Sequence, residues 1–191
     1  ATPPHARHPP HTRLDDFKAA QLAANSFISR GHRSVAFIGP TMKYKGVIRH
    51  RFDGFASVLR VNGMEVRSEH IFEIKSDVRQ EAIIALGKHI ASMKKEFSAI
   101  FITSDQIASY IVQGLISEGV SVPDEMSVIG FDNLEICRQI SPQLTTIAQD
   151  LNQKAHFAVS TLFQRLTDSS LPAQSMVLDV ELVERASVVQ K

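Results

Sequence analysis

Seven residues, Ser127-Val-Ile-Gly-Phe-Asp-Asn133, constrain the fold more than any other stretch. β-Branched Val128 and Ile129 centre a short apolar run bounded by turn-formers, the pattern of a strand buried on both faces. The run stops on Asp132-Asn133, a polar pair at the C-terminal end of the predicted strand. In open α/β sheets, ligands bind outside that end. One segment therefore predicts both a central strand and a polar tip at a possible site.

The chain before it repeats a single unit. Phe17, Ala20, Ala24, Phe27 and Ile28 fall at helical spacing after Asp15-Asp16, which predicts a capped helix over 15–30. Ser34–Ile38 reads as a strand, 50–62 as a helix, and Ile71–Ile74 as a strand. Ser76-Asp77 is the expected cap of a helix carrying Ile83, Ile84, Leu86 and Ile90. A strand over 99–103 and a helix over 105–118 follow, with Asp105 the expected cap. Strands alternating with helices through short connections predict a parallel sheet, helices on both faces and right-handed crossovers. The βα turns at 39–50, 74–77, 103–106 and 131–134 then share one edge.

The last quarter departs from this rhythm. Leu144–Ile147 is β-rich, and Asp150 predicts a helix to Leu166 with Leu151, Ala155, Ala158, Leu162 and Leu166 in an apolar stripe. Ser169–Pro172 breaks it, and 176–178 and 181–184 read as closing strands. At the other end, residues 1–13 hold four prolines and no periodicity, the composition of a disordered tail or linker. His5, His8 and His11 recur every third residue, but no Cys or Asp partner completes a usual ligand set, so no metal is expected.

The totals narrow the function classes. A chain of 191 residues with net charge +1 has no electrostatic footprint for nucleic acid or an anionic membrane. The lone Cys137 precludes an internal disulfide and suits a reducing, cytoplasmic setting. No apolar run approaches the roughly 20 residues of a membrane span. A chain starting at Ala1 with no visible signal peptide reads as a processed product or fragment.

Catalytic signatures are missing: the sequence has no Gly-x-Ser-x-Gly elbow, no His-Glu-x-x-His and no phosphate-cradling Gly-Lys-Ser/Thr end. Cys137 lacks a nearby base and reads as a structural thiol. What remains is a polar set on the ligand edge. Arg51, opening the second helix, presents a guanidinium either to a ligand or to a surface ion pair with Asp53. Asp132 can accept from ligand hydroxyls or shape a turn. Ser104 ends a strand on the same edge, and Gln149 can project an amide where the chain crosses back.

Several segments, in order and spacing, resemble the lactose-repressor (LacI/GalR) family of bacterial transcription regulators. They are Arg30-Gly-His-Arg-Ser-Val-Ala-Phe-Ile-Gly39, Arg51-Phe-Asp-Gly-Phe55, Ile100-Phe-Ile-Thr-Ser-Asp105, Val122-Pro-Asp-Glu-Met-Ser-Val-Ile-Gly-Phe-Asp-Asn133, Ser141-Pro-Gln-Leu-Thr-Thr-Ile147 and Leu182-Val-Glu-Arg185. The likeness runs over 14–188. It implies a periplasmic-binding-protein-like type I fold: a three-layer, parallel-sheet lobe at 14–143, with the second lobe mostly missing. Residues 144–174 would be a crossover strand and helix of that other lobe, and 175–191 the return strands. It further implies an effector cleft lined by positions matching Arg51, Ser104, Asp132 and Gln149, no cofactor, and no enzymatic activity. The effector expected is a sugar, sugar phosphate or nucleobase. A homodimer is expected, with operator DNA bound only through an absent N-terminal domain. Two rivals compete: a periplasmic-type sugar-binding protein of a transport system, and a small α/β enzyme, for which no nucleophile–base pair can be assembled.

Overall fold

The computed structural model describes residues 11–42, 46–75, 77–168, 171 and 175–191. The elements are β1 (His11–Leu14), α1 (Asp16–Ser29), β2 (Val35–Pro40), α2 (Val47–Val61), β3 (Ile71–Ile74), α3 (Gln80–Ala91) and β4 (Ala99–Ile102). They continue as α4 (Asp105–Ser117), β5 (Ser127–Asp132), α5 (Ile136–Gln139), β6 (Thr145–Gln149), α6 (Leu151–Thr167), β7 (Ser175–Leu178) and β8 (Val180–Val183).

The larger of two compact units spans Asp16–Ala148 and Glu181–Lys191. Its sheet has six strands in the order β3-β2-β4-β5-β6-β8. β2 pairs in parallel with β3 and β4, β4 with β5, and β5 with β6. The fold class predicted from alternation is the one observed, with β5 inside the sheet.

Strand alternation divides the core. On one face Ala36, Ile38, Ile100, Ile102 and Val128 meet Ile83, Ile90, Ile111 and Leu115 of α3 and α4. On the other, Phe37, Phe55 and Phe101 pack ring to ring, and Phe27 of α1 adds an edge contact to Phe55. All four rings are at most 1% exposed, and burying each such side chain stabilises the fold by roughly 1.5–3 kcal/mol. Two glycines let the helices approach closely. A Cβ on Gly54 would run into the backbone of Phe17, and one on Gly114 into the Ile84 carbonyl.

The smaller unit comprises the described parts of residues 1–15 and 149–180. Here His11–Leu14, expected to be largely tail, forms β1 and pairs in parallel with β7. Ser175–Leu178, expected to return to the large sheet, is that partner; only β8 joins the six strands. Both differences have one cause: the pairing joins segments far apart in sequence, and composition records no such contact. All four prolines of residues 1–13, with His5 and His8, lie outside the described residues. α6 sits beside β1 and β7, and Asp150 caps it as expected, its carboxylate accepting from the Gln153 N–H at 2.8 Å. α3 starts later than expected, at Gln80 after Arg79; Ser76 lies outside the described residues.

Candidate functional site

The parallel strands bring their C-terminal ends to one rim of the large unit, where Arg51, Ser104 and Asp132 lie at element ends, whereas Gln149 falls in the smaller unit. Arg51 lies in the first turns of α2, after β2. Ser104 follows β4, Asp132 ends β5, and Gln149 ends β6. Parallel register sets Asp132 beside Ala148, one residue before Gln149.

Arg51 is not the surface residue that an ion pair with Asp53 would make it; Asp53 instead pairs with Arg49 at 2.9 Å. Only 7% of Arg51 is exposed. Its Nε donates to Asp16 Oδ1 at 2.8 Å and its Nη1 to the Thr103 carbonyl at 2.9 Å. The guanidinium carbon stands 3.4 Å from the Phe131 ring centroid. Stacked and bonded in this way, the fork is pre-organised: a ligand accepting from its remaining N–H groups need not order a free side chain.

Asp132 and Asn133 depart from ordinary backbone, with φ of 111° and 56°. Positive φ costs an L-residue energy, on the order of 1–3 kcal/mol in the sparsest regions, and persists only where neighbours enforce it. Three contacts do so. Arg185 Nη2 donates to Asn133 Oδ1 at 2.6 Å while its Nη1 donates to the Leu144 carbonyl at 2.6 Å. The Leu134 N–H donates to Asp105 Oδ2 at 2.8 Å. The Asn133 N–H reaches Thr146 Oγ1 at 3.4 Å. The turn that presents half-buried Asp132 is thus clamped from β6 and from the C-terminal segment.

Asp105 therefore has a role other than the expected cap. Ser104 occupies the N-cap position of α4, and Asp105 is the first helical residue, fully buried. Its Oδ1 accepts from Thr146 Oγ1 at 2.6 Å. Burial pushes the Asp105 carboxyl above its ordinary range, against the pull of these donors. The Cys137 thiol, buried beside it, is pushed up to about 12 by burial and by Asp105, which keeps it protonated and fits the structural reading. Sequence reasoning missed Asp16, Phe131, Arg185 and the Thr103 carbonyl. Of these, Thr103, Phe131 and Arg185 lay in quoted motifs, but the Thr103 acceptor is a backbone carbonyl, which has no side-chain signal.

Away from the rim, a concavity of about 660 Å³ runs along α4 and α5, with Tyr110, Gln113, Ile116, Ile136 and Ile140 among its walls. Ile116 is 45% exposed.

An open, mostly parallel sheet with a clamped polar rim at its strand ends is the α/β architecture in which small-molecule sites occur at strand ends. A family model for the periplasmic binding protein-like domain matches residues 24–188. The chain belongs to that family, in the form found in LacI-type transcription regulators. It is 32% identical over 173 residues to the transcriptional repressor PurR of Glaesserella parasuis, covering 87% of this chain and 50% of the relative. PurR of Photorhabdus laumondii is 33% identical over 174 residues, covering 91% and 50%. The chain thus spans about half the length of these relatives. Among solved structures, a LacI family regulator from Enterococcus faecium with bound ribose superposes with a TM-score of 0.84 at 25% identity, covering 95% of this chain and 66% of that one. A regulator from Enterococcus faecalis, also with ribose, gives 0.81 at 28% identity, covering 95% and 64%.

Proposed function

We propose that the rim is one wall of an effector site and that this chain is the effector-binding and dimerisation part of a cytoplasmic LacI-type regulator, without enzymatic activity. The observation that carries the reading is the convergence of a buried, stacked Arg51 with a strained, clamped Asp132 on one sheet edge. A cation fork beside a carboxylate suits a ligand bearing several hydroxyls or ring nitrogens: a sugar, a sugar phosphate or a nucleobase. Arg51 and Asp132 would hold it, with Ser104 and Gln149 at the margin. The neighbours crystallised with ribose favour the sugar among these. DNA binding would reside in a separate domain, as the near-neutral charge suggests. The regulator relatives favour this reading over a transport protein.

Homodimerisation through the α4–α5 groove accompanies the reading. Its exposed Ile116, rimmed by glutamines, has the composition of a moderate interface core. Titration calorimetry with ribose, ribose 5-phosphate and hypoxanthine tests the effector wall. A lone wall should bind none of them with micromolar affinity. Micromolar binding that survives Asp132→Ala would refute the assignment.

A further inference from the structure

The C-terminal segment keeps its place on the large sheet without the Arg185 side chain. The Arg185 N–H donates to Thr145 Oγ1 at 2.9 Å, the Ala186 N–H to the Gln143 carbonyl at 3.0 Å and the Val189 N–H to Ser127 Oγ at 3.1 Å. Ser187 adds its own bonds: its Oγ donates to the Val128 carbonyl at 2.6 Å, and its carbonyl accepts from the Val128 N–H at 2.8 Å. With the backbone stitched from Arg185 to Val189, the guanidinium is not what anchors the segment.

It reaches the rim instead. Nη2 bonds Asn133 Oδ1 and Nη1 bonds the Leu144 carbonyl, so one rigid fork ties the turn after β5 to the start of β6. The Asn133 N–H stands 3.4 Å from Thr146 Oγ1, beyond the usual range for such a bond. A charge-assisted bond is roughly twice as strong as a neutral one, which makes Arg185 the dominant restraint on Asn133. The φ of Asn133, 56°, lies in the left-handed region that Asn tolerates, whereas that of Asp132, 111°, lies outside it. Asp132 is therefore the residue that relaxes when Asn133 is released.

We propose that Arg185 is a positioning residue of the effector site: without touching the ligand, it fixes Asn133 and, through it, the Asp132 carboxylate that receives the ligand. The proposal rests on the effector reading for its ligand and extends it to a side chain that the rim itself does not contain. Holding Asp132 in its bound geometry beforehand lowers the ordering cost of binding. Lysine cannot substitute, because a single ammonium lacks the planar fork that spans the two acceptors.

NMR titration of the intact chain with millimolar ribose and hypoxanthine, with urea denaturation alongside, tests it. Arg185→Met should raise the dissociation constant of the probe that binds at least threefold, and Arg185→Lys should not restore it. Asn133→Gly keeps a residue suited to positive φ and leaves the Leu144 bond in place, so it folds; it should weaken binding by a similar factor. Adding Arg185→Met to Asn133→Gly should weaken binding no further. Stability should behave differently: Arg185→Met lowers the urea midpoint in both backgrounds, since the Leu144 bond is lost in each. In the ligand-free chain, three-bond HN–Hα and residual dipolar couplings at Asp132 should report its positive φ, and Arg185→Met should average that signature away. Should Arg185→Met fail to fold, Asn133→Gly gives the same two readouts. A further loss of binding when Arg185→Met joins Asn133→Gly would mean that Arg185 meets the ligand directly, and would overturn the proposal. So would an unchanged affinity, or an unchanged Asp132 φ, in the folded single variants. If neither probe shifts the rim of the unaltered chain, the effector reading fails by itself, and the Asp132 φ alone decides whether Arg185 positions that residue.

Discussion

Replacing Arg51 by Met removes the one cation that Asp16, the Thr103 carbonyl and the Phe131 ring share. Asp16 and Arg51 are 8% and 7% exposed, so the stranded carboxylate cannot rehydrate without opening the α1–α2 contact. Breaking a buried pair from one side costs about 3–5 kcal/mol, most of it the uncompensated charge. Arg51→Met should therefore lower the urea-unfolding free energy by about that amount. The penalty depends on the charge left behind, so adding Asp16→Asn should restore part of it. A double-mutant cycle should give a coupling of about 1.5–3 kcal/mol. Chemical denaturation at pH 7 followed by circular dichroism measures both. A loss below about 1 kcal/mol, or strict additivity, would refute the claim that this pair organises the rim.

Further outcomes follow from other contacts. His32 is fully buried; its Nε2–H donates to the Val189 carbonyl at 3.2 Å, so Nδ1 accepts from Ser98 Oγ at 2.7 Å. Burial lowers its pKa from 6.5 to about 4. The unfolded chain then binds a proton that the folded chain does not: stability is unaffected above pH 6.5 and falls as pH drops toward 4, by at most about 3 kcal/mol. Acid titration of denaturation midpoints should show that slope and find it reduced in His32→Gln. Gly114→Ala, which drives a methyl toward the Ile84 carbonyl, should cost about 1–3 kcal/mol by thermal melting. Asp150→Ala should cost α6 about 1 kcal/mol, seen as faster amide exchange at Gln153.

How far the sequence foretold this depends on the distance over which each feature is decided. β5 and its polar tip were legible because strand, burial and turn are all local to Ser127–Asn133. Arg51 was legible as an edge residue, but its partner was not. Asp16 lies 35 residues away, whereas the suspected Asp53 lies two away and turns to Arg49. The exchange of roles between Ser104 and Asp105 is a one-residue shift of a helix boundary, which propensity does not resolve. β1 was illegible because its partner β7 comes near the other end of the chain. The α6 stripe was read correctly as apolar, but periodicity reports that a face wants burial and not what buries it.

The central claim is that Arg51 and Asp132 receive the effector on one rim. Heteronuclear NMR titration of the chain with millimolar ribose and hypoxanthine tests it most directly, since even a single wall binds detectably at that concentration. The account predicts shifts at the Arg51 Nε–H and the Ser104, Asp132 and Asn133 amides for at least one of the two, and their loss in Asp132→Ala. Shifts confined to the α4–α5 groove, or none at the rim with either ligand, would contradict it.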